Sequence, residues 1–248
     1  MTDLSNIETT PTQFGDKGYL KDDIIFYDNF ISEEDGEKII AFFEDPEQPW
    51  SMSAFFESYG MSIMPEDPLL EKYGLPTDYL GKLAERMKAA VEDAHQREVK
   101  SVSSHAQKWQ VGAFAPFHSD NTDMEGNASA WERSKLVCLL YVNDDYTGGE
   151  LSFRDHDITL KPKARQLVTF PGGINNVHEV KVVKGTTRHT IGAFWDHIES
   201  EYTSERMQEW QDEIDKVREQ QKVMQEGWKE QLASGTHPLT NGGTQGGY

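Results

Sequence analysis

Two histidines and an aspartate are the side chains with the clearest chemical potential in this sequence. His118 and Asp120 are separated by one residue, and His178 follows much later in the chain. Two imidazoles and one carboxylate can hold Fe(II) on one face and leave positions open for a co-substrate and oxygen. Arg188 comes shortly after the second histidine, and a guanidinium binds a carboxylate through two parallel hydrogen bonds. These residues predict a ferrous centre with a binding site for an organic acid beside it.

The spacing of these residues indicates which elements must position them. Side chains alternate between the two faces of a β-strand, so His118 and Asp120 would share a face and one strand could supply both ligands. His178 must then come from a second strand that folds back, as the inward-facing residues of an antiparallel barrel do. The same alternation predicts that Arg188 and Thr190 share a face of a later strand, with His189 on the opposite face. The Thr190 hydroxyl is therefore a candidate second contact to the acid.

The segments around these residues resemble a known family. They are Trp109-Gln110-Val111-Gly112 with Phe117-His118-Ser119-Asp120-Asn121, Tyr141-Val142-Asn143-Asp144 with Gly148-Gly149-Glu150-Leu151-Ser152-Phe153, and Leu167-Val168-Thr169-Phe170-Pro171. In this order, followed by His178 and Arg188, they resemble the prolyl 4-hydroxylase-like branch of the Fe(II)/2-oxoglutarate-dependent dioxygenases. An opening segment, Phe26-Tyr27-Asp28-Asn29-Phe30-Ile31-Ser32-Glu33-Glu34, extends the resemblance to about residues 24–198.

The resemblance implies a fold, a reaction and a set of roles. The fold is mainly β with flanking α-helices, a double-stranded β-helix (jelly roll). The implied cofactors are Fe(II) and 2-oxoglutarate, with ascorbate as a further candidate, and the implied reaction couples oxidative decarboxylation of 2-oxoglutarate to hydroxylation of a C–H bond. His118, Asp120 and His178 carry over as catalytic metal ligands, and Arg188 as the anchor for the distal carboxylate of 2-oxoglutarate. The implied substrate is a prolyl residue in a protein or peptide.

Two positions depart from the family pattern. Collagen-type members usually have lysine where this chain has Arg188; arginine there is familiar in other branches of the superfamily, so the co-substrate is preserved. Trp109 stands where tyrosine is common, and an indole N–H can donate a hydrogen bond but cannot accept one. Two interpretations of Trp109 stay open, a co-substrate contact and a packing residue.

The ligand set leaves other functions open. The same machinery could oxidise another protein side chain or a small molecule, a jelly roll could retain these residues as a non-catalytic binding module, and a zinc hydrolase could use two imidazoles and an aspartate. A nucleic-acid demethylase is disfavoured because those relatives carry a second arginine where this chain has Phe194. Halogenation is also disfavoured, since related halogenases lack the carboxylate of Asp120.

Composition limits the classes of partner. The chain has 248 residues with a hydrophobic fraction of 36% and an aromatic fraction of 11%, enough for one large β-rich domain. A formal net charge of −19 disfavours binding to nucleic acid phosphates. The single cysteine excludes an intrachain disulfide framework. Because no apolar run is long enough to span a membrane and the start lacks a secretory signal, we expect no membrane contact and a cytoplasmic location.

Pattern along the chain predicts four regions. We expect a flexible leader at 1–20, the jelly-roll domain with its supporting helices at 21–200, an amphipathic helix at 201–232 and a flexible tail at 233–248. Within the domain, helices are predicted after Ser32 and over Thr77–Arg97, and short strands from Val99 onward. The amphipathic helix packs on the barrel in one interpretation and forms a homodimer contact in the other.

Two irregular segments lie where the substrate could approach. Residues 51–61 are either a substrate-facing loop or an ordinary core segment, and residues 121–133, directly after Asp120, are either a lid or a surface loop.

Overall fold

The computed structural model describes residues 1–2, 4, 7–21, 23–53 and 58–234. Its strands and α-helices are, in chain order, β1 (Thr10–Thr12), β2 (Gly15–Lys21), β3 (Ile24–Asp28), α1 (Glu33–Phe43), β4 (Ser51–Met52), β5 (Tyr59–Ser62), α2 (Tyr79–His95), β6 (Val99–Trp109), β7 (Ala115–His118), β8 (Leu136–Tyr141), β9 (Thr147–Gly148), β10 (Leu151–Phe153), β11 (Ile158–Leu160), β12 (Gln166–Pro171), β13 (His178–Val180), β14 (Val183–Lys184), β15 (Arg188–His197) and α3 (Ser204–Ser234). Three 3₁₀ turns, Pro68–Tyr73, Arg154–His156 and Ile174–Asn176, connect these elements.

Two antiparallel sheets form the body of the domain. The large sheet has nine strands in the order β1-β2-β3-β12-β8-β15-β6-β5-β4, and the small sheet has four in the order β11-β10-β13-β7. Apolar residues from the inner face of the large sheet, such as Leu139 and Val168, form one buried cluster with Leu151 and Phe153 of the small sheet. These facing antiparallel sheets are the jelly-roll arrangement that the sequence predicts.

The outer face of the large sheet is covered by α1 and α2. Residues with the opposite strand parity, such as Leu140 and Ile191, form a second core with Ile39 of α1 and Met87 of α2. Ser32 caps α1 by accepting a hydrogen bond from the backbone N–H of Asp35, as its position in the sequence predicts. The helices therefore hold the large sheet rigid from outside and leave its inner face to the functional site.

The beginning of the chain differs from the prediction of a flexible leader at 1–20. Strands β1 and β2 form a hairpin there, and β2 continues the large sheet through its pairing with β3. Phe14 is buried against the ring of Tyr27, with 5.9 Å between the ring centroids. The prediction is wrong for these residues because short strands rich in Thr, Gly and Pro show no apolar periodicity, although their backbone pairs with the sheet.

The segment 51–61 contributes strands to the large sheet. Strand β5 pairs with both β4 and β6 at the sheet edge, and Met61 is buried in the outer core. Residues 54–57, within the segment considered as a substrate-facing loop, lie outside the described residues.

Helix α3 begins close to the body of the domain and extends beyond it. Trp210 is buried in its first turns, with its ring 4.5 Å from that of Tyr202. Arg206 donates to Glu132 in the segment after Asp120, at 2.9 and 3.3 Å. None of the described helices has both the length and the apolar character that a membrane span requires. The predicted tail at 233–248 falls almost entirely outside the described residues.

Candidate active site

His118 and His178 face each other across two paired strands. Strand β7 pairs antiparallel with β13, and the register places His118 directly opposite His178. The two ring centroids are 4.4 Å apart. His178 is buried, with Phe153 and Phe170 packed around its ring at 5.8 and 4.9 Å between centroids. Strand pairing, predicted from the separation of the two histidines in the chain, therefore brings their imidazoles together.

Asp120 completes the cluster, but not as part of the strand that carries His118. Strand β7 ends at His118, and the Asp120 backbone N–H instead donates to the carbonyl oxygen of Gly172 at 2.9 Å. The Ser119 hydroxyl donates to the same carbonyl at 2.9 Å. The expectation that one strand supplies both ligands is thus wrong in detail: the turn at the end of β12, an interior strand of the large sheet, holds the carboxylate in place.

The three side chains converge on one point. One ligand atom from each of His118, Asp120 and His178 lies within 4.8 Å of the others. The Asp120 carboxylate oxygens are 4.0 Å from His118 Nε2 and 3.7 Å from His178 Nε2. Ligands about 2.1 Å from a common ion and at right angles to each other would be about 3 Å apart, so the ligand atoms would fit one metal if each moved by about an ångström or less.

Hydrogen bonds on the far side of each ring orient the imidazoles. His118 Nδ1 lies 2.8 Å from the carbonyl oxygen of Pro116, and His178 Nδ1 lies 3.0 Å from that of Asn176. A carbonyl can only accept, so each Nδ1 carries the proton and each Nε2 keeps its lone pair for the metal. Burial lowers the pKa of His178 to about 4, despite the opposing effect of Asp120, so this imidazole is neutral at neutral pH.

Asp120 supplies the clearest sign that the cluster fits a cation. Its Oδ2 is fully buried and makes no hydrogen bond to any described residue. A buried carboxylate oxygen without a donor is costly unless a cation compensates it. Two neutral imidazoles and an ionised carboxylate are the donors that Fe(II) takes in a facial triad.

Arg188 begins β15 on the inner face of the large sheet and is almost completely buried. It is 1% exposed, and its Nε and Nη1 make no hydrogen bond to a described residue. The described part of the chain also places no carboxylate within ion-pair distance of it. Its guanidinium carbon lies 5.1 Å from the ring centroid of Trp109 and 4.9 Å from that of Tyr141. A buried cation flanked by aromatic faces and lacking an anion is suited to a carboxylate ligand.

Two tyrosines that the sequence did not mark as site residues extend this pocket. The hydroxyls of Tyr141 and Tyr146 are buried and make no hydrogen bond to a described residue. Burial raises the pKa of Tyr146 to about 12 and also raises that of Tyr141, with Arg188 opposing both shifts. Both phenols therefore keep their protons and can donate to an anion held by Arg188. Tyr141 could have been found from strand parity, since it follows Val137 and Leu139 on the inner face.

The double glycine after Tyr146 has a steric role in this pocket. Gly148 and Gly149 both have positive φ, at 66° and 64°. A Cβ on Gly149 would lie 2.9 Å from Tyr146 Cε2 and 3.2 Å from Arg188 Cδ. Glycine is needed here because the backbone of the turn packs directly against the side chain of Arg188.

Thr190 and Trp109 are placed on the predicted face but differ in their contacts. Trp109 lies directly opposite Arg188 in the β6–β15 register, where its ring covers the guanidinium. Thr190 is fully buried, and its hydroxyl donates to Gln107 Oε1 at 3.0 Å, so its proton is used within the protein. His189 points to the outer face, as strand alternation predicts, and its Nε2 contacts Glu44 of α1 at 2.7 Å.

Comparison with known proteins agrees with this arrangement. Residues 104–196 match the family model of the 2OG-Fe(II) oxygenase superfamily. Prolyl 3-hydroxylase 2 of Rattus norvegicus is 32% identical over 106 residues, which cover 38% of this chain and 15% of that protein. The chain therefore spans about a seventh of the length of this curated relative.

Solved structures share the fold at low sequence identity. The viral collagen prolyl hydroxylase of Paramecium Bursaria Chlorella virus-1, solved with 2OG, superposes with a TM-score of 0.51 at 15% identity, over 69% of this chain and 94% of that one. A prolyl hydroxylase of Trichoplax adhaerens, solved with a hypoxia inducible factor peptide fragment, gives a TM-score of 0.51 at 15% identity, over 71% and 84%. These likenesses confirm the double-stranded β-helix fold.

The fold, the metal cluster and the matched family model define a 2OG-Fe(II) oxygenase domain. Its relatives in sequence and fold include prolyl hydroxylases, in agreement with the predicted prolyl 4-hydroxylase-like branch. Fe(II) and 2-oxoglutarate are accordingly the cofactors that the site is built to take.

Proposed function

We propose that this protein is a Fe(II)- and 2-oxoglutarate-dependent hydroxylase that acts on prolyl residues of a protein or peptide. One observation carries the proposal. A three-ligand cluster with a buried, uncompensated carboxylate oxygen and a buried arginine without an anion occur in the same domain. A metal ion alone would compensate the carboxylate of Asp120 but not the guanidinium of Arg188. Fe(II) together with a diacid that chelates it would compensate both.

Each group of residues has a distinct task in this reaction. His118, Asp120 and His178 would hold Fe(II) by one face, and the iron, with 2-oxoglutarate as the co-reductant, would activate O2 for C–H hydroxylation, giving succinate and carbon dioxide alongside the hydroxylated product. Arg188 would pair with the distal carboxylate, while the phenol of Tyr146 donates to it. Because the pocket is enclosed by aromatic rings, these charge-assisted hydrogen bonds form away from water, where they are strongest.

Prolyl peptides are the substrate class that the relatives support. Both structural relatives are prolyl hydroxylases, and one was solved with a peptide fragment. The hydroxylated carbon is not settled by these relatives, since the curated relative is a prolyl 3-hydroxylase, whereas the branch that the sequence resembles is that of the prolyl 4-hydroxylases. We propose hydroxylation at C4, in line with the resemblance of the sequence motifs, with C3 as the alternative product.

The first experiment tests the oxidant independently of the substrate. Anaerobic Fe(II) and 2-oxoglutarate should give the purified protein a weak visible metal-to-ligand charge-transfer band, which a zinc site would not show. On admission of air, 2-oxoglutarate should be converted to succinate. His118→Ala should lose both signals, and the matched control His197→Ala, at the far end of β15, should keep them. Full succinate formation by His118→Ala would reject the assignment.

A second experiment tests the anchor and the substrate. Arg188→Ala should raise the KM for 2-oxoglutarate at least about tenfold, because hydrogen bonds to charged groups are worth about 1.5–3 kcal/mol. Arg154→Ala removes an exposed arginine whose guanidinium pairs with the neighbouring Asp155, and it should leave this KM unchanged. A panel of collagen-like and other proline-containing peptides, with and without ascorbate, should then gain one oxygen on proline by mass spectrometry. Succinate formation that no proline peptide stimulates would favour another side chain or a small molecule as substrate, and protein that forms no succinate at all would be a binding module.

We also propose that α3 mediates a homodimer. Met207, Trp210 and Ile214 recur at steps of three and four residues in this helix, the spacing of a coiled-coil seam. Trp210 is already buried within the domain, so Met207 and Ile214, which are not fully buried, would make the contact between the two copies. Light scattering should give twice the mass of the chain. A monomer mass at micromolar concentration would remove this proposal without affecting the enzymatic one.

A further inference from the structure

Three polar side chains form a directed chain of hydrogen bonds on the inner face of the large sheet. The Thr190 hydroxyl donates to Gln107 Oε1 at 3.0 Å, which leaves the Gln107 amide N–H groups to act as donors. Gln107 Nε2 lies 3.1 Å from His105 Nε2. Since the amide nitrogen can only donate, His105 Nε2 accepts, and the proton of the imidazole is fixed on Nδ1.

His105 is held as a neutral ring with one outward donor. Its ring stacks on Phe194 with 5.4 Å between centroids and 12° between planes. In the β6–β15 register it lies opposite Gly192, whose missing side chain leaves space for the ring. Burial lowers the pKa of His105 to about 4, against the opposing charge of Asp120, so the ring carries no charge at neutral pH. The structure gives Nδ1 no hydrogen-bond partner among the described residues.

The position of His105 along the sheet separates it from the co-substrate pocket. Arg188 pairs with Trp109, Thr190 with Gln107 and Gly192 with His105 in successive inward-facing pairs. Four residues along a strand span about 13 Å, which is further than a five-carbon diacid anchored at Arg188 extends. His105 nevertheless interacts electrostatically with the metal ligand Asp120. It therefore lies further along the sheet than the co-substrate reaches, while remaining close enough to the metal ligands to interact with Asp120.

We propose that His105 is a substrate-contact residue, and that its Nδ1–H donates to a backbone carbonyl oxygen of the peptide beside the hydroxylated proline. The inference rests on the proposed function. Thr190 and Gln107 act as positioning residues because they fix the tautomer that makes Nδ1 the donor. Phe194 gives the ring a fixed plane and offers an apolar surface to the proline ring next to the donor.

The test compares variants of this chain on the peptide that the wild-type enzyme hydroxylates best in the panel described above. His105→Ala should raise the KM for the peptide, or the ratio of succinate to hydroxylated product, by about three- to tenfold, the range expected for one neutral hydrogen bond. His105→Asn, whose amide N–H can replace Nδ1–H, should recover most of this loss. Gln107→Leu should show a smaller loss of the same kind. Ser103→Ala, an exposed position on the same strand, serves as the control and should match wild type.

The readouts separate substrate contact from other roles. The KM for 2-oxoglutarate and the charge-transfer band should stay as in wild type in every His105 variant. A rise in the 2-oxoglutarate KM equal to that of the peptide, or an unchanged peptide KM and product ratio in His105→Ala, would overturn the inference. Wild-type enzyme that forms succinate but hydroxylates no proline peptide would reject the prolyl substrate of the proposed function, whereas the variant outcomes above reject the contact of His105 alone. Wild-type protein without 2-oxoglutarate turnover would instead reject the proposed function itself.

Discussion

Gly172 provides the sharpest test of how the carboxylate ligand is positioned. Its carbonyl oxygen accepts hydrogen bonds from the backbone N–H groups of Asp120 and Asn121 at 2.9 and 3.1 Å, and from the Ser119 hydroxyl at 2.9 Å. A Cβ at this position would lie 2.4 Å from the Ser134 carbonyl oxygen and 3.1 Å from Asp120 Cβ. Because the closest atom belongs to the backbone, Gly172→Ala must move the turn that carries Asp120.

The expected size of the effect follows from two terms. Overpacking a close contact costs about 1–3 kcal/mol of folding free energy. Misplacing the outer support of a metal ligand typically costs about 10–100-fold in metal affinity, or about 1.4–2.7 kcal/mol. We therefore expect Gly172→Ala to fold, with a modest loss of stability, and to bind Fe(II) about 10–100-fold more weakly.

The neighbouring glycine is a matched control. A Cβ on Gly173 would meet only the Asn121 side-chain oxygen at 3.6 Å, an ordinary van der Waals distance. Gly173→Ala should therefore bind Fe(II) within about threefold of wild type, a difference below about 0.7 kcal/mol. Both variants would be titrated with Fe(II) under anaerobic conditions in saturating 2-oxoglutarate, using the charge-transfer band, and unfolded in urea without metal. Equal Fe(II) affinities for the two variants would refute the role given to the Gly172 carbonyl.

Three further predictions test individual contacts. Thr190→Val should lower the free energy of unfolding by about 1 kcal/mol, because Gln107 loses a donor, while the KM for 2-oxoglutarate should change less than about twofold; a tenfold rise in that KM would show that Thr190 contacts the co-substrate after all. Trp109→Leu removes the ring that covers Arg188 and should raise the same KM several-fold, whereas Trp109→Phe should have a smaller effect; equal effects of both variants would contradict a cation–π role. His95 has its pKa lowered to about 4 by burial, so the unfolded chain binds one more proton between about pH 4 and 6.5 and stability should rise with pH in that window, by at most about 1.4 kcal/mol per pH unit. Urea unfolding of the metal-free protein should show a shallower pH dependence for His95→Leu, and an identical slope would contradict this.

Strand parity explains which site residues could be predicted from the sequence. The period of two correctly separates Arg188 and Thr190 from His189, because all three lie within the long strand β15. The need for a third ligand far along the chain likewise predicts that His178 lies on a strand that folds back against the strand of His118. Such inferences need only the residues of one element and the ligand chemistry.

The remaining features depend on contacts between distant segments. The turn that carries Asp120 is held by the carbonyl oxygen of Gly172, which accepts the hydrogen bond from Ser119, 53 positions earlier in the chain. Neither segment alone contains a pattern that predicts this contact. Tyr146 lies in a turn, so no periodicity places its hydroxyl beside Arg188. The donor of His105 becomes visible only when the register between β6 and β15 sets Gln107 opposite Thr190.

The two sheets contribute differently to the metal ligands. Both imidazoles belong to the small sheet, while the carboxylate is fixed by the turn that leaves β12 of the large sheet. A bound ion would therefore act as a cross-link between the halves of the sandwich, and its binding free energy would add to the folding free energy as its concentration rises above Kd. Removal of iron would then lower the free energy of unfolding of the whole sandwich, so iron supply would affect the resistance of this protein to proteolysis as well as its turnover.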